Sequence, residues 1–393
     1  MEIYLDNAAT TRVCDEAAKT AFETMTSFYG NPSSTHTKGR EAAVVLTKAR
    51  GQVASALGCK PSELFFTSCG SESDNWAILC GAEAMKHRGR HVISSLVEHD
   101  AVRKSLSELE RRGFEVTRLA PEADGSISVS ALAEALRPDT VLVSLMTVNN
   151  ETGGITDIAA MRRLLDERGS FALLHTDAVQ AFMKLPFTAK GCGADMISIS
   201  GHKIHAPKGI GALYIKSGVK IKPYILGGAQ ESGLRAGTEA MPQIAAFGTA
   251  AEIAHARFAE TQKQLSELRA YTAERLTSLI PQLVLIGGGA PHILSVSLPG
   301  WRSEVLMNFL EADGIFVSRS SACKKGARSH VLEAIGLPSK VIDGALRFPA
   351  PCVADPCAQV NSDNKNAFGL AESVFIIFTF YLPVRPRFSV PRT

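Results

Sequence analysis

From Glu16 onward, short runs of β-branched and Leu-rich residues alternate with longer stretches whose apolar residues recur every three or four positions. That is the pattern of strands joined by crossover helices on a mainly parallel sheet. Seven runs read as strands: 64–67, 91–94, 115–119, 140–146, 171–175, 196–200 and 212–215. Residues 130–136 and 158–167 carry helical periodicity between them. Beyond the glycine-rich turn GGAQESGLRAGT (227–238), the stretch 241–279 predicts one long helix and a domain junction. A strand (293–298), a helix (303–313), a strand (315–317), a small-residue loop (318–329) and a helix (330–337) then predict a smaller α/β unit. The expected division is a large domain over 16–257, a small domain from 1–15 and 258–348, and an atypical tail, 349–393. In that tail SVFIIFTFYLPVRPRFSVPRT follows neither period, and an edge element and a foreign tail both stay open.

The 393 residues exclude a single small binding module, and 45% hydrophobic content supplies a core. Lys and Arg (42) nearly balance Asp and Glu (39), so no direct nucleic-acid partner is expected. The cysteines at 14, 59, 69, 80, 192, 323, 352 and 357 lack the dense spacing of a secreted disulfide scaffold. MEIYLDNAATT has no basic region followed by an apolar stretch, and the run 374–382 is far short of the roughly 20 residues a membrane helix needs. The expectation is a soluble, cytoplasmic protein with no membrane partner.

The chemistry concentrates where apolar runs end. In ADMISISGHKIHAPKGIGALYI (194–215), a strand delivers Ser200, Gly201, His202 and Lys203 to its end. Ligands collect at the carboxyl ends of strands in such sheets, and a desolvated lysine there can attack a carbonyl to form a Schiff base. The bland alternative is a solvated turn lysine. FALLHTDAVQ (171–180) ends a second run at Asp177, with Gln180 close behind. A carboxylate there could keep a pyridine nitrogen protonated, as pyridoxal phosphate enzymes require, or merely cap the next helix. In FFTSCGSESDNWAILCGAEAM (65–85), Gly70 and Ser71 open a helix whose N–H groups could bind a phosphate, unless Ser68 or Ser71 forms an ordinary capping box. His99, Asn150 and Thr238 follow strands or glycines and could serve the same ligand, as ring stack and proton carrier, hydrogen-bond donor and phosphate contact. Cys323 lies among small residues beside Lys324, Lys325 and Arg328, a setting that favours a reactive thiolate over a buried thiol. No GxGxxG follows a strand and no GxxxxGK[ST] occurs, which removes dinucleotide and P-loop readings. His87 with His91, and His202 with His205, lack a third ligand, so no metal is expected.

Taken in order, YLDNAATT (4–11), GNPSSTHTKGR (30–40), FFTSCGSESDN (65–75), EHDAV (98–102), VNNETG (148–153), HTDAVQ (175–180), SISGHKIHAPKGIGALY (198–214), RAGT (235–238) and SSAC (320–323) resemble a NifS/IscS-type cysteine desulfurase. The resemblance runs from about residue 3 to Phe348. It implies the α/β architecture of fold type I pyridoxal phosphate enzymes in the class V aminotransferase-like group: a large domain with a mainly parallel seven-stranded sheet and a smaller α/β domain. It further implies that Lys203 is the Schiff-base lysine, that Asp177 pairs with the pyridinium, and that His99 stacks and transfers protons. Gln180 and Asn150 would lie near the phenolic oxygen and the substrate. Gly70, Ser71, Ser200, His202 and Thr238 would form the phosphate cup, the threonine reaching into the other subunit of a homodimer. Arg347 would clamp the substrate carboxylate, and Cys323 would take sulfur from L-cysteine as a persulfide, leaving L-alanine. The sulfur would pass to an acceptor protein, either an iron–sulfur scaffold or a tRNA-thiolation enzyme. Two departures accompany it: CKKGARSH is shorter than the usual loop, and 349–393 does not resemble the helical end of the family's small domain. A selenocysteine lyase or related lyase, and a cofactor-binding protein impaired by its altered C-terminus, are the competing readings.

Overall fold

The computed structural model describes residues 2–319 and 328–349. Cys323, the SSAC motif that holds it, and the tail from 350 lie outside the described residues. The chain opens with β1 (Ile3–Tyr4), and all seven runs read as strands then form: β2 (Leu64–Thr67), β3 (His91–Ser95), β4 (Glu115–Leu119), β5 (Thr140–Ser144), β6 (Leu173–Asp177), β7 (Met196–Ser200) and β8 (Gly211–Ile215). They make one sheet in the order β2-β8-β7-β6-β5-β3-β4. Every pairing is parallel except those of β8, which is antiparallel to both neighbours. Strands β2, β3, β5, β7 and β8 are buried along their whole length. Burial on both faces is why β2 and β8 read as near-continuous apolar runs.

Strands β9 (Val284–Ile286), β10 (Ile293–Ser297), β11 (Ile315–Phe316), β12 (Ser318–Arg319) and β13 (Ala345–Pro349) complete the set. A second, antiparallel sheet runs β12-β13-β10-β9, while β1 pairs in parallel with β11. Leu5 joins Leu276, Leu294, Leu310, Leu346 and Phe348 in the apolar cluster under this sheet, so the N-terminal segment packs with the C-terminal elements.

The helical stretch expected as one piece is two helices, Met241–Ala256 and Phe258–Leu279, meeting at Arg257. The first is an Ala-rich helix buried on nearly all sides, whereas the second buries only Leu265 and Leu276. The change of environment at Arg257 falls where the helical run breaks. Among the described residues no helix is long and apolar enough to cross a membrane.

The glycine-rich segment after β8 is pinned to the β2 edge of the sheet by one carboxylate. Glu231 adopts left-handed backbone angles (φ 47°, ψ 47°), a conformation unfavourable for a residue with a Cβ. Its side chain, 3% exposed, accepts both Arg50 terminal nitrogens at 2.7 Å and the Phe66 N–H at 2.8 Å. Removing one member of a buried pair strands the other, typically at about 3–5 kcal/mol. Glu231→Gln is therefore expected to lower stability by about 3 kcal/mol, read as a fall in the denaturant midpoint; an unchanged midpoint contradicts this anchoring.

Candidate active site

Strands β6 and β7 are neighbours, with Asp177 paired opposite Ser198, so the ends of these two strands lie side by side. Asp177 is the last residue of β6, and Lys203 closes the single 3-10 turn that follows β7. A cavity of about 510 Å³ opens at these tips. It is lined by Gly70, Ser71, His99, Asn150, Asp177, Gln180, Ser200, His202, Lys203 and Arg347, so ten of the twelve residues expected from sequence come together. Thr238 is exposed and does not line the cavity in this single chain, and Cys323 is outside the described residues.

Lys203 is not the solvated turn lysine. Its Nζ donates to the carbonyl oxygens of Ala8 (2.7 Å) and Ala9 (2.6 Å). Burial, reinforced by the charges of Arg347 and Lys184, brings the amine down to about 7. A neutral amine has two N–H bonds; with both given to these carbonyls, its lone pair stays unengaged. The carbonyls belong to the N-terminal NAATT segment, which is laced to the lysine turn. Thr11 N and Oγ1 donate to the His202 carbonyl oxygen (2.9 and 3.0 Å), and Thr11 Oγ1 accepts the His205 N–H at 2.8 Å.

Asp177 accepts the Val179 N–H at Oδ1 (2.9 Å), leaving its other oxygen for a cation. Burial pushes its carboxyl up, opposed by that N–H, His99 and Lys203. Asp74, buried in the same wall, is pushed well up by burial and by the Asp177 charge. His202 is brought down to about 4 by burial and by Lys203, and its Nδ1 lies 3.2 Å from Thr10 Oγ1. His99 caps the helix Asp100–Arg111 by accepting the Ala101 N–H at Nδ1, which leaves Nε2 as its proton-carrying atom.

Three observations agree with a phosphorylated aldehyde. The helix Gly70–Met85 begins at Cys69 with no side-chain cap, so the expected alternative of a Ser68 or Ser71 cap is absent and its first N–H groups are unclaimed. Ser200 Oγ and Gln180 Oε1 are buried without a hydrogen-bond partner, and each such orphan is costly unless a ligand satisfies it. At Gly70 a Cβ would lie 2.8 Å from Val179 Cγ2 and 3.5 Å from Ser200 Cβ, so only glycine keeps that approach clear.

The family described as Aminotransferase class-V matches residues 3–347. "Cysteine desulfurase 2" of Trichormus variabilis is 42% identical over 351 residues, covering 88% of this chain and 87% of that one. "Cysteine desulfurase IscS" of Methanosarcina thermophila is 41% identical, covering 88% and 86%. The chain belongs to the NifS/IscS-type cysteine desulfurases of the class-V aminotransferase family. Among solved structures, a NifS-like protein superposes with a TM-score of 0.88 at 36% identity, covering 97% of this chain and all of that one. A structure described as SspA in complex with cysteine superposes at 0.76 and 33% identity, covering 88% and 98%. The α/β fold type I architecture expected from sequence is thus the architecture of this family.

Several wall residues of this desulfurase carried no local signal. Ala8 and Ala9 act through backbone oxygens 195 and 194 residues from Lys203. Glu98 is a buried carboxyl, pushed up to about 8 by burial; it follows β3 in the EHDAV motif but carried no assigned role. Glu151, pushed up to about 7 by burial, accepts the Ser329 hydroxyl and could have been noticed beside Asn150.

Proposed function

We propose that this chain is a pyridoxal phosphate-dependent cysteine desulfurase that converts L-cysteine to L-alanine and carries the sulfur on Cys323. The observation that supports it best is a desolvated Lys203 amine, brought down to about 7, beside the Asp177 carboxylate in a cavity that also holds the Arg347 guanidinium. Lys203 and Asp177 would hold the cofactor's aldehyde carbon and ring nitrogen. Gly70, Ser71, Ser200 and His202 would surround its phosphate, with Thr238 supplied by the second subunit of a homodimer. When bound, this cofactor supplies a protonated ring that withdraws electrons from the substrate's Cα.

Each residue then has a stated task. Arg347 binds the α-carboxylate. With the cofactor held there, the Lys203 amine would take the Cα proton at Nζ and return a proton to the product. His99 holds a proton at Nε2, and Asn150 and Gln180 orient the reacting amino acid. The Cys323 thiolate attacks the substrate sulfur, so that an S–S bond forms as the Cβ–S bond breaks. In sum, one thiol and one cysteine give one persulfide and one alanine, with no external oxidant. An acceptor protein serving iron–sulfur assembly or tRNA thiolation would collect the sulfur in the cytoplasm. The division into domains 16–257 and 1–15 with 258–348 belongs to the same proposal.

The test is alanine and sulfide production from L-cysteine by the cofactor-loaded protein with dithiothreitol present. Cys323→Ser is expected to lower both by about 10²-fold or more with cofactor still bound. Undiminished sulfide release without Cys323 contradicts the persulfide step.

A further inference from the structure

Arg347 is 2% exposed and meets the cavity with most of its donors already engaged. Its Nη1 donates to the Asn150 carbonyl oxygen at 2.6 Å. Its Nη2 donates to Asp6 Oδ1 at 3.2 Å and to Ser318 Oγ at 2.9 Å, while Nε has no partner. A planar guanidinium offers a carboxylate two edges, the Nη1/Nη2 end and the Nε/Nη2 side, and both use Nη2. Nη2 has two hydrogens, and both are committed. Neither bidentate edge is therefore complete until one of its partners lets go.

Ser318 is buried on β12, where it pairs opposite Arg347 of β13 in the sheet. Asp6 has the longer contact and is 23% exposed, so it is the partner free to leave. It sits just after β1, at the head of the turn in which its own carbonyl oxygen accepts the Ala9 and Thr10 N–H groups. Its side chain can thus rotate away while the backbone that holds Lys203 stays fixed.

We propose that Asp6 is a resident carboxylate that holds Nη2 of Arg347 until the substrate's α-carboxylate displaces it. This rests on the reading of Arg347 as the carboxylate clamp. The resident ion pair spares the protein an unpaired buried cation between turnovers. It also sets a threshold, because a guest must offer a carboxylate placed well enough to displace Asp6. Asp6 is a positioning residue, acting through Arg347.

The experiment is calorimetric titration of L-alanine into the cofactor-loaded protein, with steady-state kinetics on L-cysteine alongside. Asp6→Asn, which removes the competing charge and keeps the shape, is expected to tighten L-alanine and lower KM by roughly 3- to 10-fold, the change falling on KM rather than kcat. Asp6→Ser is expected to move in the same direction, and Asp6→Glu to return toward wild type. Cysteamine, which lacks a carboxylate, should bind wild type and Asp6→Asn alike. Weaker or unchanged L-alanine binding in both Asp6→Asn and Asp6→Ser overturns the proposal. Arg347→Gln separates the two layers. If it leaves L-alanine affinity intact, the clamp itself is wrong; if it abolishes binding while the Asp6 variants do nothing, only the role of Asp6 falls.

Discussion

Replacing Lys203 with alanine is expected to lower L-cysteine turnover by about 10³-fold or more, because in the proposed mechanism one amine would serve as both cofactor anchor and proton carrier. An unperturbed lysine, with a pKa near 10.4, is a free base in only about one molecule in 2,500 at pH 7. Burial, Arg347 and Lys184 bring Lys203 down to about 7, so near neutrality about half carries a usable lone pair. The environment thereby supplies about three orders of magnitude of nucleophile before any chemistry begins. A depressed lysine pKa also fixes the sign of the pH dependence. Capture of pyridoxal phosphate by the cofactor-free protein should accelerate as pH rises through about 7 and level off above it. Stopped-flow absorbance checks this, and an acceleration centred near 10 would mean that the amine is not desolvated in solution.

Asp177→Asn is the second large effect, expected to cost about 10²- to 10³-fold in turnover while cofactor remains attached to the lysine. The asparagine keeps the shape and can still accept the Val179 N–H, but it brings no negative charge to a ring nitrogen. Burial raises the Asp177 carboxyl, opposed by the Val179 N–H, His99 and Lys203. A bound pyridinium would add a further attraction that favours the charged carboxylate. Equal loss in Asp177→Asn and Asp177→Ala, each with cofactor bound, would confirm charge as the cause. Asp177→Asn turning over within tenfold of wild type would remove the carboxylate from the mechanism.

The strands and their chemistry were legible because of where the sheet lies. Runs such as Leu64–Thr67 and Gly211–Ile215 are largely apolar since both faces are covered, and charged residues stand out where strand-like runs end. That is how Lys203, Asp177 and His99 were visible. The partners of those residues were not, because sequence pattern carries no information about which distant segments meet. Arg347 and Asp6 lie 341 residues apart, and Gln180 reaches Ala8 across 172. Helix boundaries suffered similarly: 241–279 has helical composition throughout, and only packing reveals the break at Arg257. Thr238, exposed in the single chain, would take its expected role only at the site of a second subunit.

Borohydride reduction of the cofactor-loaded protein, followed by proteolysis and mass spectrometry, tests the central claim most directly. The phosphopyridoxyl mass should appear on the peptide containing Lys203 and be missing from Lys203→Ala. The same mass on Lys184, Lys208 or any other lysine of the wild-type protein would contradict the account.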